Sequence, residues 1–278
     1  TIVVGASDDD TDNGEYSGSA YVFTRESIGG TVWKQQAKLI AKDGAAFDNF
    51  GGSVAIYGDT IVVGASDDDT DNGEYSGSAY IFTRESTGAG WRQQTKILPT
   101  DGSIGFGGSV AMYGDTIVIG ASYYDDDNGE SSGSAYVLTR NSTGGTVWSQ
   151  QMKLLPNNGA VEDEFGKSVA IYGDTIVVGA SEDDINGYYS GSAYVFIYDG
   201  DNGDDSGSAY IFTRDGTGGT VWRQQAKLLP KDGGTGDEFG GGVAMYGDTI
   251  VVGARYDGDN GDDSGSAYIF TRDGTGGT

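Results

Sequence analysis

Short apolar runs recur along this chain in a fixed order, separated by polar stretches rich in Gly and Asp. In the most regular unit, Phe50 to Leu98, four runs read as strands: Gly52 to Tyr57, Thr60 to Ala65, Ser78 to Arg84 and Trp91 to Leu98. The second contains Ile61-Val62-Val63 without polar alternation, the pattern of a strand covered on both faces. Between the first two, Gly58-Asp59 with Gly leading predicts a type II′ hairpin turn. Strict alternation in the fourth run puts Trp91, Gln93, Thr95 and Ile97 on one face and Arg92, Gln94 and Lys96 on the other. The basic residues of this run, with Lys34, Lys38, Lys153, Arg223 and Lys227 in the other copies, predict an outermost strand whose charge discourages edge-to-edge pairing.

The unit repeats. Thr1, Thr60, Thr116 and Thr175 open successive second strands at spacings of 59, 56 and 59 residues, a period of stacked or radial repeat architectures. Sheets this short are not stable alone, so the expected fold is all-β, a β-propeller of four-stranded antiparallel blades packed side on side. About five blades are visible in one domain, 1–278, with segments near 1–41, 50–98, 106–155, 165–229 and 239–278. Trp33, Trp91, Trp148 and Trp222 share one register and are expected to pack between blades. The first blade lacks an opening strand and the last a closing one, which reads as a piece of a larger ring. Tyr198 to Thr220 is identical to Tyr256 to Thr278. The Ile197/Tyr198 junction therefore reads as the scar of a collapsed repeat, although a hairpin inserted into one blade would give the same string.

Composition narrows the chemistry. With no His and no Cys, the chain has no Ser-His-Asp triad, no Cys nucleophile, no disulfide and no zinc site of the usual ligands. The formal charge of -26, from 42 acidic and 16 basic residues, disfavours nucleic acid and anionic lipid and favours a cation or a cationic surface. No apolar run approaches the roughly 20 residues of a membrane span, so no membrane insertion is expected.

Carboxylates concentrate in the loops between second and third strands and between the fourth strand and the next first strand, so one face should be strongly negative. Aligned without gaps on Gly-Ser-Ala-Tyr, the former share Asp-x-Asp-Asn-Gly-Glu/Asp. The candidate metal ligands are Asp10 with Asp12, Asp69 with Asp71, Asp125 with Asp127, Asp199 with Asp201, and Asp257 with Asp259. Asp8 and Asp67 extend the first two copies, and the fourth-repeat copy keeps Asp183. Alternating carboxylates before a Gly suit calcium (Ca2+), whose hard oxygen ligands must converge around a sharp bend. Asn-Gly is also a strong hairpin signal, so the same loops can be turns whose Asp residues solvate the tip.

Phe50-Gly51, Val62-Val63-Gly64-Ala65 and Ser78-Ala79-Tyr80-Ile81-Phe82 resemble the FG-GAP repeat, and the resemblance covers essentially the whole chain. It implies a propeller like that of integrin α subunits, seven blades as the usual number, and a location outside the cell or on its surface. The metal loop of that family lies between strands one and two, where this chain has only Tyr57-Gly58-Asp59-Thr60, so none of its ligands carries over. Ser66, Ser122, Ser181 and Arg255 also replace the Pro of the family. The functions this implies are an adhesion or interaction module for a protein or glycan partner, or a structural component that self-associates in an extracellular array. A carbohydrate-active enzyme is the third reading, and near-identical repeats argue against it because catalysis needs one unique pair of carboxyl groups.

Overall fold

The computed structural model describes the chain except residues 27–29, 86–89, 102, 124–130, 141–146, 157–161, 183–191, 195–208, 215–221, 231–233, 259–260, 262–263 and 272–278. Among the described residues all regular structure is β. Blade 1 holds β1 (Ile2–Ala6), β2 (Ser19–Arg25) and β3 (Trp33–Leu39). Blade 2 holds β4 (Ser53–Tyr57), β5 (Thr60–Ala65), β6 (Ser78–Arg84) and β7 (Trp91–Ile97), and blade 3 holds β8 (Ser109–Tyr113), β9 (Thr116–Ala121), β10 (Ser134–Arg140) and β11 (Trp148–Leu154). Blade 4 comprises β12 (Phe165–Tyr172), β13 (Thr175–Ala180), β14 (Ser192–Tyr194), β15 (Ala209–Arg214) and β16 (Trp222–Leu228), and blade 5 β17 (Phe239–Tyr246), β18 (Thr249–Ala254) and β19 (Ser266–Thr271). Every paired strand is antiparallel, and blades 2 and 3 are meanders of four strands in sequence order.

Local chemistry sets the turns. Gly58, Gly114, Gly173 and Gly247 have φ between 57° and 59°, the left-handed value that the leading residue of a type II′ turn needs and that Gly adopts without a Cβ clash. The fourth strand departs from strict alternation. Phe82 pairs with Gln93 but Ile81 with Thr95, so Gln94 bulges out of the ladder, and the same shift recurs in blades 1 and 3. The Gln-Gln pair marks this bulge, which turns the strand over. Trp91 consequently packs toward blade 1 while Ile97 packs toward blade 3.

The core lies between blades. Val3, Ala20 and Val22 of blade 1 meet Ile61, Val63 and Phe82 of blade 2, while Val62, Ala79 and Ile81 on the other side of blade 2 meet Ile117, Ile119 and Leu138 of blade 3. Both faces of β5 are buried, as its unbroken apolar run predicts. First strands pack on one another in chain order, β4 on β8, β8 on β12 and β12 on β17. Trp33, Trp91 and Trp148 are only half buried: Trp91 and Trp148 touch the junction clusters, and their outer faces carry Arg84 and Arg140 at 5.6 and 5.2 Å.

Each junction is latched by Phe-Gly. Phe50, Phe106, Phe165 and Phe239 are fully buried. The first three bridge in parallel to Gly18, Gly77 and Gly133 at the head of the preceding blade's third strand. The following Gly carbonyl lies so close to the preceding blade that a Cβ on Gly5, Gly64, Gly120 or Gly179 would overlap it. Ser53, Ser109 and Ser168 donate across the junction to the carbonyls of Gly107, Gly166 and Gly240 at 2.7, 2.7 and 2.8 Å. Gly is required at these points because two backbones touch.

Among the described residues the duplicated block forms no extra blade. Ser192, Ala193 and Tyr194 pair with Ala180, Gly179 and Val178, while Ile211, Phe212 and Thr213 pair with Val177, Ile176 and Thr175. Two partial copies thus share the place of one third strand, in the register that the intact β6 keeps against β5. Residues 195–208, including the proposed junction, lie outside the described residues.

Candidate functional site: an acidic loop rim

The loops between second and third strands and those leading into the next first strand meet on one rim. Backbone amides of Phe47 and Asn49 donate to the carbonyls of Glu15 and Tyr16, and those of Gly105 and Phe106 to Tyr75 and Ser76, at 2.9 to 3.3 Å. Asn13 and Asn72 bind the carbonyls of Ala41 and Pro99 through their side-chain amides, each at 2.8 Å. Asn in the shared loop pattern is therefore a tie between loops. The two-residue turn itself falls one position earlier than Asn-Gly predicts: Thr11 and Gly14 exchange both backbone hydrogen bonds around Asp12-Asn13.

The candidate ligands take different places. Asp8, Asp10 and Asp12 are exposed, as are Asp69 and Asp71. Asp10 and Asp69 accept the amides of Tyr16 and Tyr75 at 3.0 and 2.9 Å, which closes the loop. Asp67 accepts from the Asn49 side chain. Asp125, Asp127, Asp183, Asp199, Asp201 and Asp259 lie outside the described residues. Among the described residues no three carboxylates are grouped to hold a metal ion.

The Asp that strict alternation skips is the one built into the fold. Asp68 is buried and accepts from the Ser78 hydroxyl, from Tyr80 at 3.0 Å and from the Lys96 ammonium at 2.7 Å. Asp9 accepts in the same way from Ser19, Tyr21 and Lys38 at 2.6, 2.7 and 2.9 Å. Asp257 is the equivalent residue in blade 5. Its carboxylate accepts from Tyr268 at 2.5 Å and its carbonyl from the Gly265 amide, as the carbonyls of Asp9 and Asp68 accept from Gly18 and Gly77. Alignment on Gly-Ser-Ala-Tyr pairs Asp257 with Asp10, one residue off, because this loop is one residue shorter. Counting forward from the Ala that ends the second strand aligns the clamps correctly. In blade 3, where Tyr124 stands at this position in the sequence, Asp101 of the preceding loop takes over and binds Ser103 at 2.7 Å, Tyr136 at 2.7 Å and Lys153 at 2.9 Å. Of the strand-four basic residues expected to guard an edge, Lys38, Lys96 and Lys153 are thus counter-ions within the clamps, while Lys34 pairs with Glu26.

Electrostatics follow from these contacts. Ser19 first, then Lys38 and Tyr21, hold the Asp9 carboxyl well below its usual range. Burial alone would lower the Lys96 ammonium, yet Asp68, Tyr80 and Asp43 raise it above its ordinary value. Asp48 behaves oppositely. It is buried, accepts the Ala45 amide at 2.6 Å, and is pushed up to about 6 by desolvation and by the charges of Asp68 and Asp69. Asp43, Asp48, Asp67, Asp68, Asp69 and Asp71 line one cleft of about 710 Å³, where Lys96 is the single cation on the wall among the described residues.

The opposite rim carries a second feature that the sequence reading missed. Tyr57, Tyr113, Tyr172 and Tyr246 form a ladder from blade to blade, with ring centroids 5.2, 5.0 and 5.1 Å apart. Its signal was the invariant place of Tyr before Gly-Asp in each repeat.

No curated protein matches the chain. The FG-GAP repeat family matches at four positions, residues 33–82, 91–138, 148–196 and 222–270. Repeats of this family form β-propellers that are typically non-enzymatic structural or interaction modules, and they occur in extracellular or surface proteins. With the matches spread over most of the chain and each falling on the strands of successive blades, this protein belongs to the FG-GAP repeat family.

Proposed function

We propose that this chain is an extracellular interaction module whose acidic loop rim receives a protein or glycan partner through clustered cationic groups. The cleft around Asp48 carries this reading. Six carboxylates face one cavity against one ammonium, and Asp48 is driven toward protonation there. An incoming cation relieves that repulsion, which is worth about 1 kcal/mol per close like-charged pair in water and more near a protein surface. The loops are already tied by backbone and Asn hydrogen bonds, so little ordering cost opposes docking. If calcium binds this rim it does so at Asp8, Asp12, Asp67 and Asp71, and the cationic-partner reading stands without it.

The test uses an immobilised tetra-lysine peptide and surface plasmon resonance. Neutralising Asp67, Asp69 and Asp71 to Asn should weaken binding at least about tenfold, while neutralising Asp59, Asp115 and Asp248 on the opposite rim changes it less than about twofold. Equal losses from both sets would show a response to net charge alone and reject the rim as the site.

A further inference from the structure

Where second strands end and first strands begin, residues of blades 1 to 4 line a cleft of about 280 Å³, separate from the one around Asp48. Its character is set by the position before Phe-Gly and by the two residues after Gly-Ala. In blade 2 these positions form a polar set, in which Asn49 donates to Asp67 and Ser66 to the same carboxylate at 3.0 Å. In blade 4 Glu164 accepts from Ser181 at 3.0 Å and from Lys167 at 2.8 Å. Blade 3 breaks the pattern. Gly105 replaces the polar residue, and the Tyr123 ring lies so close over it that a Cβ there would be 2.6 Å from the ring. Tyr123 is 47% exposed, and the Lys167 ammonium sits 5.1 Å from its ring centre. Ser122 thereby lacks the carboxylate that Ser66 and Ser181 donate to. It is 5% exposed, and its hydroxyl has no hydrogen-bond partner among the described residues.

We propose that this cleft binds one neutral pyranose unit of a glycan, its C–H face against the Tyr123 ring and its hydroxyls on Ser122, Asn49, Asp8 and Lys167. The lining selects that class. It offers one aromatic face, whose negative quadrupole attracts C–H groups, and one charge of each sign, Lys167 and Asp8. A cation would be repelled by Lys167 and an anion by Asp8, whereas a sugar hydroxyl both donates and accepts, as the serine hydroxyls do. The volume lies near the lower end of small-ligand pockets, about 300 Å³, and suits a single ring. Gly52 and Gly108 keep the cleft open, while Lys167 stands at the same position in blade 4. The junctions that carry Tyr123 and Lys167 are packed on both sides by blades 2, 3 and 4.

The probes are the methyl glycosides of glucose, mannose, galactose and N-acetylglucosamine, with methylammonium and acetate as charged controls, titrated into the 278-residue chain by ligand-observed NMR. At least one glycoside should saturate below about 10 mM, and neither ion should bind in a way that depends on Tyr123. Tyr123→Ala should weaken the glycoside at least about tenfold. Gly52→Leu, whose Cβ comes no nearer than 3.4 Å to a neighbour, should plug the cleft and abolish binding. Both variants should keep the circular dichroism of the parent and its response to tetra-lysine, which separates this cleft from the one around Asp48. Absence of saturation by all four glycosides, undiminished binding to Tyr123→Ala, or Tyr123-dependent binding of either ion overturns the proposal.

Discussion

The phenol of Tyr80 donates to the carboxylate of Asp68 at 3.0 Å, and Lys96 closes the same carboxylate from the neighbouring strand at 2.7 Å. This clamp joins the acidic loop to β6 and β7, so the rim is held by the sheet beneath it. Removing Asp68 leaves Lys96 with Asp43 at 3.0 Å and the Tyr80 ring as partners. Asp68→Ala should cost about 3 kcal/mol in urea denaturation, the loss typical of a buried pair broken on one side, and Tyr80→Phe about 1 kcal/mol. A loss near zero for Asp68→Ala would remove the clamp from the account.

Asp48 gives a pH signature of definite sign. Its carboxyl rises from 3.8 to about 6 on folding, so between these values the folded state binds the extra proton. Its contribution therefore favours folding at low pH and is lost as pH rises through about 6. Asp48→Asn removes the charge, and relative to the parent it should be more stable at pH 7 than at pH 4 by about 1 to 3 kcal/mol. Melts at the two pH values measure this difference, and the opposite sign would contradict the buried, crowded site. Asp43 and Asp101 work the other way. Burial opposes their ionisation, but Lys96 for Asp43, and Ser103, Lys153 and Tyr136 for Asp101, hold both carboxyls low, so their stabilisation is lost only as pH falls below about 4.

In the described loops Asp9 and Asp68 are saturated by side chains, and Asp10 and Asp69 accept backbone amides. Chelator should accordingly leave the melting transition within about 1 °C of its value in millimolar calcium, since a ligand stabilises only by binding the folded state. A rise of several degrees with calcium would assign the ion to Asp8, Asp12, Asp67 and Asp71.

Tyr113 lies between Tyr57 and Tyr172 in the ladder. Tyr113→Ala should destabilise by about 2 kcal/mol, with two ring contacts worth about 0.5 to 1.5 kcal/mol each, and Tyr113→Phe should restore most of it. Equal losses from both would transfer the effect to the hydroxyl.

Period and turn chemistry made the blades legible. The Ile61-Val62-Val63 run and the leading Gly58 each have one physical reading, and both appear as expected. The Gln93-Gln94 bulge was not legible, because alternation carries no mark of an inserted residue until a partner strand is present. The site was half legible. Sequence placed the carboxylates on one rim but favoured the alternating Asp8, Asp10 and Asp12. The clamp is defined by Ser19, Tyr21 and Lys38 reaching Asp9 from two strands, a relation that local spacing does not contain. The shared third strand of blade 4 was equally out of reach, since it depends on which parts of two similar Ser-Ala-Tyr strings pair with β13.

Everything on the rim depends on blades being locked together by Phe-Gly against the Gly of the preceding blade. Thermal denaturation of Gly64→Ala beside Gly253→Ala tests that lock most directly, because the two positions are equivalent and, among the described residues, only Gly64 has the backbone of a following blade against it. Gly64→Ala should lose about 3 kcal/mol or more, as overpacking against fixed backbone does, while Gly253→Ala stays within about 0.5 kcal/mol of the parent. Equal and small losses at both positions would contradict the latch and the arrangement of blades built on it.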